Sequence, residues 1–176
     1  EMKGVHATTS PSMDIQISSN FERLLFEVHG RDGAAVRRLM QSLQQSGRFE
    51  IAAEPLAAIR AEFDAVGIDE AATAAEIDRT WREAGYLLDP HTAVGVAAAR
   101  GGLVKDPATP MIVLGTAHPA KFPAAVKAAS GVTPVLPAHL GDLMERQERF
   151  TLLPNEQGAI ESFVRAKARA VRGAAP

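Results

Sequence analysis

Apolar residues recur at helical spacing through most of the chain. The first run consists of Phe21, Leu24, Leu25 and Val28. Intervals of three and four residues place these side chains on one face of a helix, with Asn20 as a favourable N-cap and Gly30 as a stop. The same pattern predicts further helices at 31–47, 55–67, 70–84, 90–100, 119–129, 140–147 and 155–171.

One segment has a different pattern. Residues 111–115 are apolar without a charge, and small and polar residues follow them. This order is typical of a buried strand that ends in a tight turn before a helix. A freestanding α/β sheet needs about one strand per thirty residues. The sequence therefore predicts a helix-rich α/β segment with few strands, whose strand pairs with strands outside this chain.

Composition limits the classes of partner. The 176 residues carry a formal net charge of −2 with both signs interspersed, whereas nucleic-acid and anionic-membrane surfaces need clustered Lys and Arg. No apolar run approaches the roughly 20 residues of a membrane span, and cysteine is absent. We therefore expect neither nucleic acid nor a membrane as a partner, and we expect a cytoplasmic location.

A cradle for an anion is predicted where the first helix begins. Ser19 and Asn20 offer a hydroxyl and an amide beside the free N–H groups of the first turn, and Arg23 follows one turn later. Backbone donors, the positive end of the helix dipole and a guanidinium together favour phosphate. On residue types alone, however, Asn20 can simply cap the helix while Arg23 is solvated.

Polar residues around the predicted strand are candidates for a ligand site. Thr116 stands just beyond the carboxyl end of the strand, where open α/β sheets bind ligands. Its hydroxyl suits a neutral partner such as a heteroaromatic nitrogen. Asp89 and Pro90 are typical of a capped helix start, so His91 can equally be an exposed imidazole. Lys121 can contact an anionic group, although its surface-like surroundings favour a solvated side chain.

Three motifs in the order of the chain resemble the threonine synthase family. They are Ser-Pro-Ser-Met-Asp-Ile-Gln-Ile-Ser-Ser-Asn-Phe-Glu-Arg at 10–23, Asp-Pro-His-Thr-Ala-Val-Gly at 89–95 and Thr-Ala-His-Pro-Ala-Lys-Phe at 116–122. The match is to the carboxyl-terminal part of the enterobacterial and fungal type. It implies the corresponding part of a fold type II pyridoxal phosphate enzyme with a tryptophan synthase β-like fold. Such enzymes convert O-phospho-L-homoserine and water to L-threonine and phosphate, and this subgroup suggests a monomer.

The resemblance also implies a substrate-binding region. Residues 4–30 correspond to the loop and helix near the substrate phosphate, with Ser19, Asn20 and Arg23 as the contacting residues. Lys121 is a further substrate-binding candidate. These assignments favour the phosphate interpretation of the first helix over simple capping.

A cofactor-facing region follows from the same resemblance. Residues 86–131 correspond to a loop, strand and helix against the cofactor, with the Thr116 hydroxyl facing the pyridine nitrogen. The loop of His91 and Thr92 would lie against the ring. A neutral hydroxyl leaves the ring nitrogen largely unprotonated, whereas an aspartate would keep it charged.

The sequence lacks the family's catalytic lysine. None of the five lysines lies in a Ser-Phe-Lys-Asp type of motif, which carries the Schiff-base lysine, and the Gly- and Asn-rich turn for the cofactor phosphate is also absent. Covalent attachment of the cofactor needs that amine, so we expect no catalytic residue here and an inactive segment. Because the first residue is Glu and no lead-in element precedes the motifs, we expect a piece of a longer chain.

Other interpretations stay open beside this one. The scattered His residues offer no metal-ligand spacing, and no Gly-x-Ser-x-Gly elbow suggests a serine hydrolase. The chain can instead be a non-catalytic helical module that docks on a partner. It can also belong to another fold type II lyase such as a threonine dehydratase, whose substrate carries no phosphate for Arg23.

Overall fold

Helices dominate the computed structural model, which describes residues 4–169 and divides into two compact units, residues up to Leu136 and residues from Pro137. The α-helices of residues 4–136 are α1 (Ser19–Val28), α2 (Gly33–Ser46), α3 (Ala53–Glu62), α4 (Glu70–Ala84), α5 (Pro90–Lys105) and α6 (Pro123–Ser130). In residues 137–169, helix α7 (Gln157–Lys167) follows two 3-10 turns at Ala138–Leu140 and Leu143–Glu145.

Capping residues set several helix ends where the sequence predicts them. The Asp69 carboxylate accepts the Ala72 N–H at 2.8 Å where α4 begins. Gly85 follows α4 with a φ of 64°, and Gly47 follows α2 with a φ of 71°. Glycine adopts this left-handed conformation at little steric cost, so both positions end their helices.

The first helix differs from the prediction at its beginning, and the third helix, which begins two residues earlier than predicted at Ala53, differs most at its end. α1 begins after Ser18, whose extended backbone makes it the N-cap, so Asn20 lies inside the first turn instead of capping it. α3 ends at Glu62 and not at Gly67, because Phe63 turns to an extended conformation with φ −128° and ψ 139°. The prediction that Asn20 is the cap was therefore wrong, although Asn20 stays at the amino-terminal end of α1.

Glycines have opposite effects in two other predicted helices. α5 continues through Gly101 and Gly102 to Lys105, because the Asp106 N–H still bonds to the Gly102 carbonyl at 3.0 Å and closes the last turn. The predicted helix at 140–147 is wrong, since Gly141 ends the first of two separate 3-10 turns. Glycine weakens a helix without always ending it.

The predicted strand at 111–115 is wrong for the described residues. Residues 4–169 contain no β-strand, and residues 111–115 form neither helix nor strand. A strand needs the N–H and C=O groups of a neighbour, and no such ladder forms within this part of the chain. Ile112 is 84% exposed and Leu114 is 76% exposed. Pairing of this segment with strands outside these residues stays a prediction.

The core that positions α5 lies between α5 and its neighbours. α4 packs against both α5 and α6. Ile77, Leu88 and Ala93 form a buried cluster, with Val96 and Ala129 packed against it. Burying a side chain such as Ile or Leu contributes roughly 1.5–3 kcal/mol. The cluster therefore fixes the amino-terminal end of α5 against α4.

A largely buried ion pair joins α4 and α5 further along. Arg100 Nε lies 2.8 Å from Glu76 Oε1 and 2.9 Å from Oε2, and the Thr80 hydroxyl also donates to Oε1 at 2.8 Å. The Glu76 side chain is 6% exposed. The bond to Glu76 raises the pKa of Arg100, so the guanidinium stays charged. Arg100 also reaches Glu83 on the surface at 3.2 Å.

Arg100→Ala should lower the free energy of unfolding by about 2–3 kcal/mol, because it leaves the Glu76 carboxylate buried without its cation. Arg82→Ala is the matched control, since Arg82 pairs with Asp78 on the surface of α4 with 75% of its side chain exposed. The control should cost less than about 1 kcal/mol. Urea unfolding followed by circular dichroism measures both, and equal losses would contradict the account.

Candidate functional site

One carboxylate organises the start of α5. Asp89 precedes Pro90 and adopts the extended backbone of an N-cap, with φ −82° and ψ 161°. Its Oδ1 accepts the backbone N–H of His91 at 2.9 Å and that of Thr92 at 3.3 Å. The side chain is 1% exposed. The prediction that Asp89 caps this helix is confirmed.

The Thr92 hydroxyl links this carboxylate to Thr116. It donates a hydrogen bond to Asp89 Oδ2 and accepts one from the Thr116 backbone N–H, with a nitrogen–oxygen distance of 3.1 Å. Thr92 is 7% exposed, so water does not compete strongly for these bonds. The backbone of Thr116 is thereby held against α5.

Glycines on α5 allow residues 111–113 to lie close to the helix. A Cβ atom at Gly95 would lie 3.2 Å from Val113 Cγ1, and one at Gly102 would lie 2.7 Å from Met111 Cε. Real side chains rarely tolerate such distances without a shift of the neighbour. At Gly101, by contrast, a Cβ would meet no atom within 4 Å. Gly95 therefore permits the approach of Val113 next to the turn that carries Thr116.

A groove of about 830 Å³ opens along this side of α5. Its walls consist of residues 91, 94, 95, 97–99, 101, 102 and 105 of α5, residues 111–114 and 116, residues 64–66 and 68, and Met13. Its charged lining residues, Asp64 and Lys105, pair with each other at 3.3 Å. Thr116 is exposed at the groove, and its hydroxyl has no hydrogen-bond partner within residues 4–169. The groove therefore presents a neutral hydroxyl whose backbone is fixed.

His91 connects the start of α5 with the loop before α1. Its Nδ1 lies 3.2 Å from Asp89 Oδ1, and its Nε2 accepts the Ser12 backbone N–H at 3.3 Å. Because a backbone N–H can only donate, these bonds place a proton on Nδ1 and leave Nε2 as the acceptor. The imidazole also packs against Phe122, with ring centroids 4.7 Å apart. Lys121 Nζ lies 5.6 Å from the centre of the Phe122 ring.

A second aspartate holds the loop that carries Ser12. Asp14 accepts the Thr8 hydroxyl at 2.6 Å and the Thr8 backbone N–H at 2.8 Å. These bonds hold the pKa of Asp14 below its ordinary value of 3.8. The Thr9 N–H donates to Glu70 at the start of α4, at 3.0 Å. The loop is thus tied to the starts of α4 and α5.

The structure brings four residues that the sequence singles out into one region, which we name the α5 cluster. Its members are His91, Thr92, Thr116 and, through Phe122, Lys121. Lys121 lies on its exposed side, and His91 and Thr92 lie on its buried side. The cluster falls within the region 86–131 that the family resemblance assigns to the cofactor, and the ligands of its members stay predictions.

The predicted phosphate residues form a separate group at the start of α1. Ser19, Asn20 and Arg23 are all exposed, and the Arg23 guanidinium donates to Asn20 Oδ1. α1 packs against α2 and α3. Within residues 4–169 no hydrogen bond or ion pair joins this group to the α5 cluster.

Comparison with known proteins gives consistent matches. The family model described as "Threonine synthase, C-terminal" matches residues 92–164. The threonine synthase of Pseudomonas aeruginosa is 49% identical over 161 residues, which cover 91% of this chain and 34% of that protein. The crystal structure of pyridoxal phosphate-bound threonine synthase from Brucella melitensis is 61% identical with a TM-score of 0.75, covering 96% of this chain and 36% of that one. The chain belongs to the threonine synthase family.

A more distant threonine synthase has the same arrangement. The crystal structure of the yeast enzyme is 31% identical with a TM-score of 0.73, covering 98% of this chain and 38% of that one. The chain spans about a third of the length of the curated threonine synthases that it matches. The predicted family and fold are therefore confirmed.

Part of the site is not predicted from the sequence. The Asp89 carboxylate caps α5 and also accepts the Thr92 hydroxyl. The three-residue spacing between Asp89 and Thr92 could have indicated this bond, because an N-cap side chain faces the third residue of its helix. Ser12 and Phe122 lie within two of the motifs, but the sequence predicts no role for either residue. Ser12 contacts a histidine 79 positions away, and no local pattern carries such a contact.

Two further features are absent from residues 4–169. None of their helices is both long and apolar enough to cross a membrane. No group of three or more His, Cys, Asp or Glu residues among them is arranged to hold a metal ion.

Alanine substitutions should distinguish the glycines of α5. Gly101→Ala should raise the free energy of unfolding by about 0.5–1 kcal/mol through helix propensity alone. Gly95→Ala should gain less, because Val113 must move by a few tenths of an ångström to admit the Cβ. Urea unfolding of the two variants measures the difference. An equal gain at both positions would show that Val113 does not press on α5.

Acid should release the loop that carries Ser12. Folding lowers the pKa of Asp14, so the stabilisation is present above pH 3.8 and is lost as the pH falls through the lowered value. Thr8→Val removes the larger of the two causes and should move the pKa of Asp14 back toward 3.8. NMR titration of the Asp14 carboxyl measures this shift. An identical Asp14 pKa in wild type and variant would refute the contact.

Proposed function

We propose that this chain is the carboxyl-terminal segment of a fold type II threonine synthase, a lyase that converts O-phospho-L-homoserine and water to L-threonine and phosphate. In this proposal the enzyme acts in threonine biosynthesis in the cytoplasm. It is a monomer, and this segment works together with the remainder of the same polypeptide. Its cofactor is pyridoxal phosphate, which supplies when bound an electron sink that no side chain of this segment provides.

The observation that carries the proposal is the Thr116 hydroxyl at the groove. Its backbone N–H is bonded to Thr92, Thr116 lines the groove, and its hydroxyl has no hydrogen-bond partner within the described residues. A neutral hydroxyl matches an unprotonated pyridine nitrogen, to which it can donate. The nearby carboxylates are occupied, since Asp89 is buried among its donors and Asp64 pairs with Lys105. The residues present therefore fit the cofactor ring.

Charge and exposure support a phosphate site at the start of α1. Arg23 is exposed and held by Asn20, so its guanidinium is oriented while keeping donors for a ligand. The backbone N–H groups of Ser19 and Asn20, which have no partner within the described residues, add donors at the positive end of the helix dipole. In this assignment Ser19, Asn20 and Arg23 bind the substrate phosphate. Lys121, on the exposed side of the α5 cluster, is a second cation for the substrate.

The lysine that attaches the cofactor lies in the remainder of the protein in this proposal. The segment's lysines are surrounded by sequences unlike the family's attachment motif. The exposed apolar residues Ile112 and Leu114 are suited to burial against that remainder. The segment alone is therefore inactive, and its part is to contact the ring nitrogen and the substrate phosphate.

The other two interpretations receive less support. A non-catalytic docking module does not account for Thr116, whose backbone is bonded to Thr92 and whose hydroxyl has no partner within the described residues at an apolar groove. A threonine dehydratase acts on a substrate without phosphate and gives no reason for the cradle at Arg23. The matched relatives named above are threonine synthases throughout.

Arg23→Ala in the full-length protein should raise the KM for O-phospho-L-homoserine by about tenfold to a hundredfold. The reason is the loss of a charge-assisted hydrogen bond to phosphate. Arg37→Ala is the matched control, because Arg37 is an exposed arginine on the neighbouring helix α2 and should leave KM unchanged. Phosphate release measured against substrate concentration gives both values.

Two results would contradict the proposal in different ways. Absence of phosphate release from the wild-type full-length protein would refute the activity itself. Normal release with the same KM in Arg23→Ala and wild type would keep the activity and remove the phosphate assignment at α1.

A further inference from the structure

The Thr116 backbone is held by a single polar contact in the described residues. The bond from its N–H to the Thr92 hydroxyl is the only hydrogen bond that residues 110–117 make within residues 4–169. The other contacts of this stretch with α5 include the packing of Met111 against Gly102 and of Val113 against Gly95. Van der Waals contacts of this kind fix distance better than direction. The placement of the Thr116 backbone, from which the hydroxyl projects, therefore depends on Thr92.

The bonds of Thr92 leave it no proton for a ligand. Thr116 offers a backbone N–H, which can only donate, so the Thr92 oxygen must accept there. The Thr92 hydroxyl donates to Asp89 Oδ2, so its single proton is used there. A Thr92 side chain that is 7% exposed has little surface left for direct contact with a cofactor.

We infer that Asp89 and Thr92 are positioning residues that orient the Thr116 hydroxyl toward the cofactor ring, an inference that rests on the proposed function. Thr92, a cofactor-binding candidate from the sequence, then acts through Thr116 and not by direct contact with the ring. Asp89 in turn fixes the Thr92 hydroxyl. Its Oδ2 accepts the Thr92 proton, and its Oδ1 is bonded to the first turn of α5 and to His91, so the carboxylate itself is held in place. Loss of the Thr92 hydroxyl should weaken cofactor binding even though that hydroxyl does not touch the cofactor.

Asp89 takes part in two sets of hydrogen bonds, one through Thr92 to Thr116 and one through His91, and the experiment must separate their effects. Through His91 the same carboxylate is connected to the Ser12 backbone and so to the loop before α1. A change at Asp89 affects both branches, whereas a change at Thr92 affects only the branch to Thr116. Thr92 is therefore the position at which the inference is tested first.

The test uses the full-length protein and free pyridoxal phosphate. Thr92→Val keeps the shape and removes the hydroxyl, and Thr92→Ser keeps the hydroxyl. Thr73→Val is the matched control, because Thr73 is 1% exposed and its hydroxyl donates to the Asp69 carbonyl at 2.8 Å on α4. Visible absorbance titration without substrate gives the Kd for pyridoxal phosphate and the absorbance maximum of the bound form. Phosphate release gives kcat and KM separately.

Thr92→Val should raise the Kd for pyridoxal phosphate about tenfold, shift the absorbance maximum and lower kcat more than it raises KM. Thr92→Ser and Thr73→Val should stay within about twofold of wild type. A Kd and spectrum in Thr92→Val equal to those of Thr73→Val would overturn the inference and leave the proposed function intact. A wild-type protein that neither binds the cofactor nor releases phosphate would overturn the proposed function instead.

A second variant decides the matter if Thr92→Val does not fold. Asp89→Asn keeps the shape and can still cap α5 through its oxygen, but its amide nitrogen replaces the acceptor that the Thr92 proton needs. A folded Asp89→Asn protein should show the same direction of change in Kd and spectrum. Unchanged cofactor binding in that protein would overturn the inference.

Discussion

A buried carboxylate needs donors for both of its oxygens, because an ionised group removed from water is costly unless it is hydrogen-bonded. Asp89 obtains them from the first turn of α5, from His91 and from Thr92. Each of these donors is held in place by its bond to Asp89, and so is the part of the site to which the donor belongs. The loop before α1 and the turn at Thr116 are both connected to this carboxylate, although 104 positions separate Ser12 from Thr116 in the sequence.

Packing of α5 makes this anchor stable. The cluster of Ile77, Leu88 and Ala93 holds its beginning, and the Glu76–Arg100 pair holds its later turns against α4. The side that faces the groove carries glycines, so residues 111–113 can lie next to the helix. α5 is thus a fixed support for the turn at Thr116, and the site depends on its placement more than on any single ligand contact.

Local patterns predicted the helices because helix formation depends on neighbours three and four residues apart and on caps such as Asp69 and Asp89. The errors arose where two signals compete or a partner is distant. Ser18 and Asn20 are both good caps, and only the folded backbone selects Ser18. The strand at 111–115 needs neighbours that the described residues do not supply. The sequence predicts which residues belong to the site. It does not predict the bond between Thr116 and Thr92, because that bond joins residues 24 positions apart and no local pattern carries it.

The most direct test of the central claim is a crystal structure of the full-length protein with pyridoxal phosphate. The account predicts that the Thr116 hydroxyl oxygen lies about 2.7–3.2 Å from the pyridine nitrogen, while its backbone N–H still bonds to Thr92. A carboxylate or another side chain at the ring nitrogen, with Thr116 turned away from the cofactor, would contradict it.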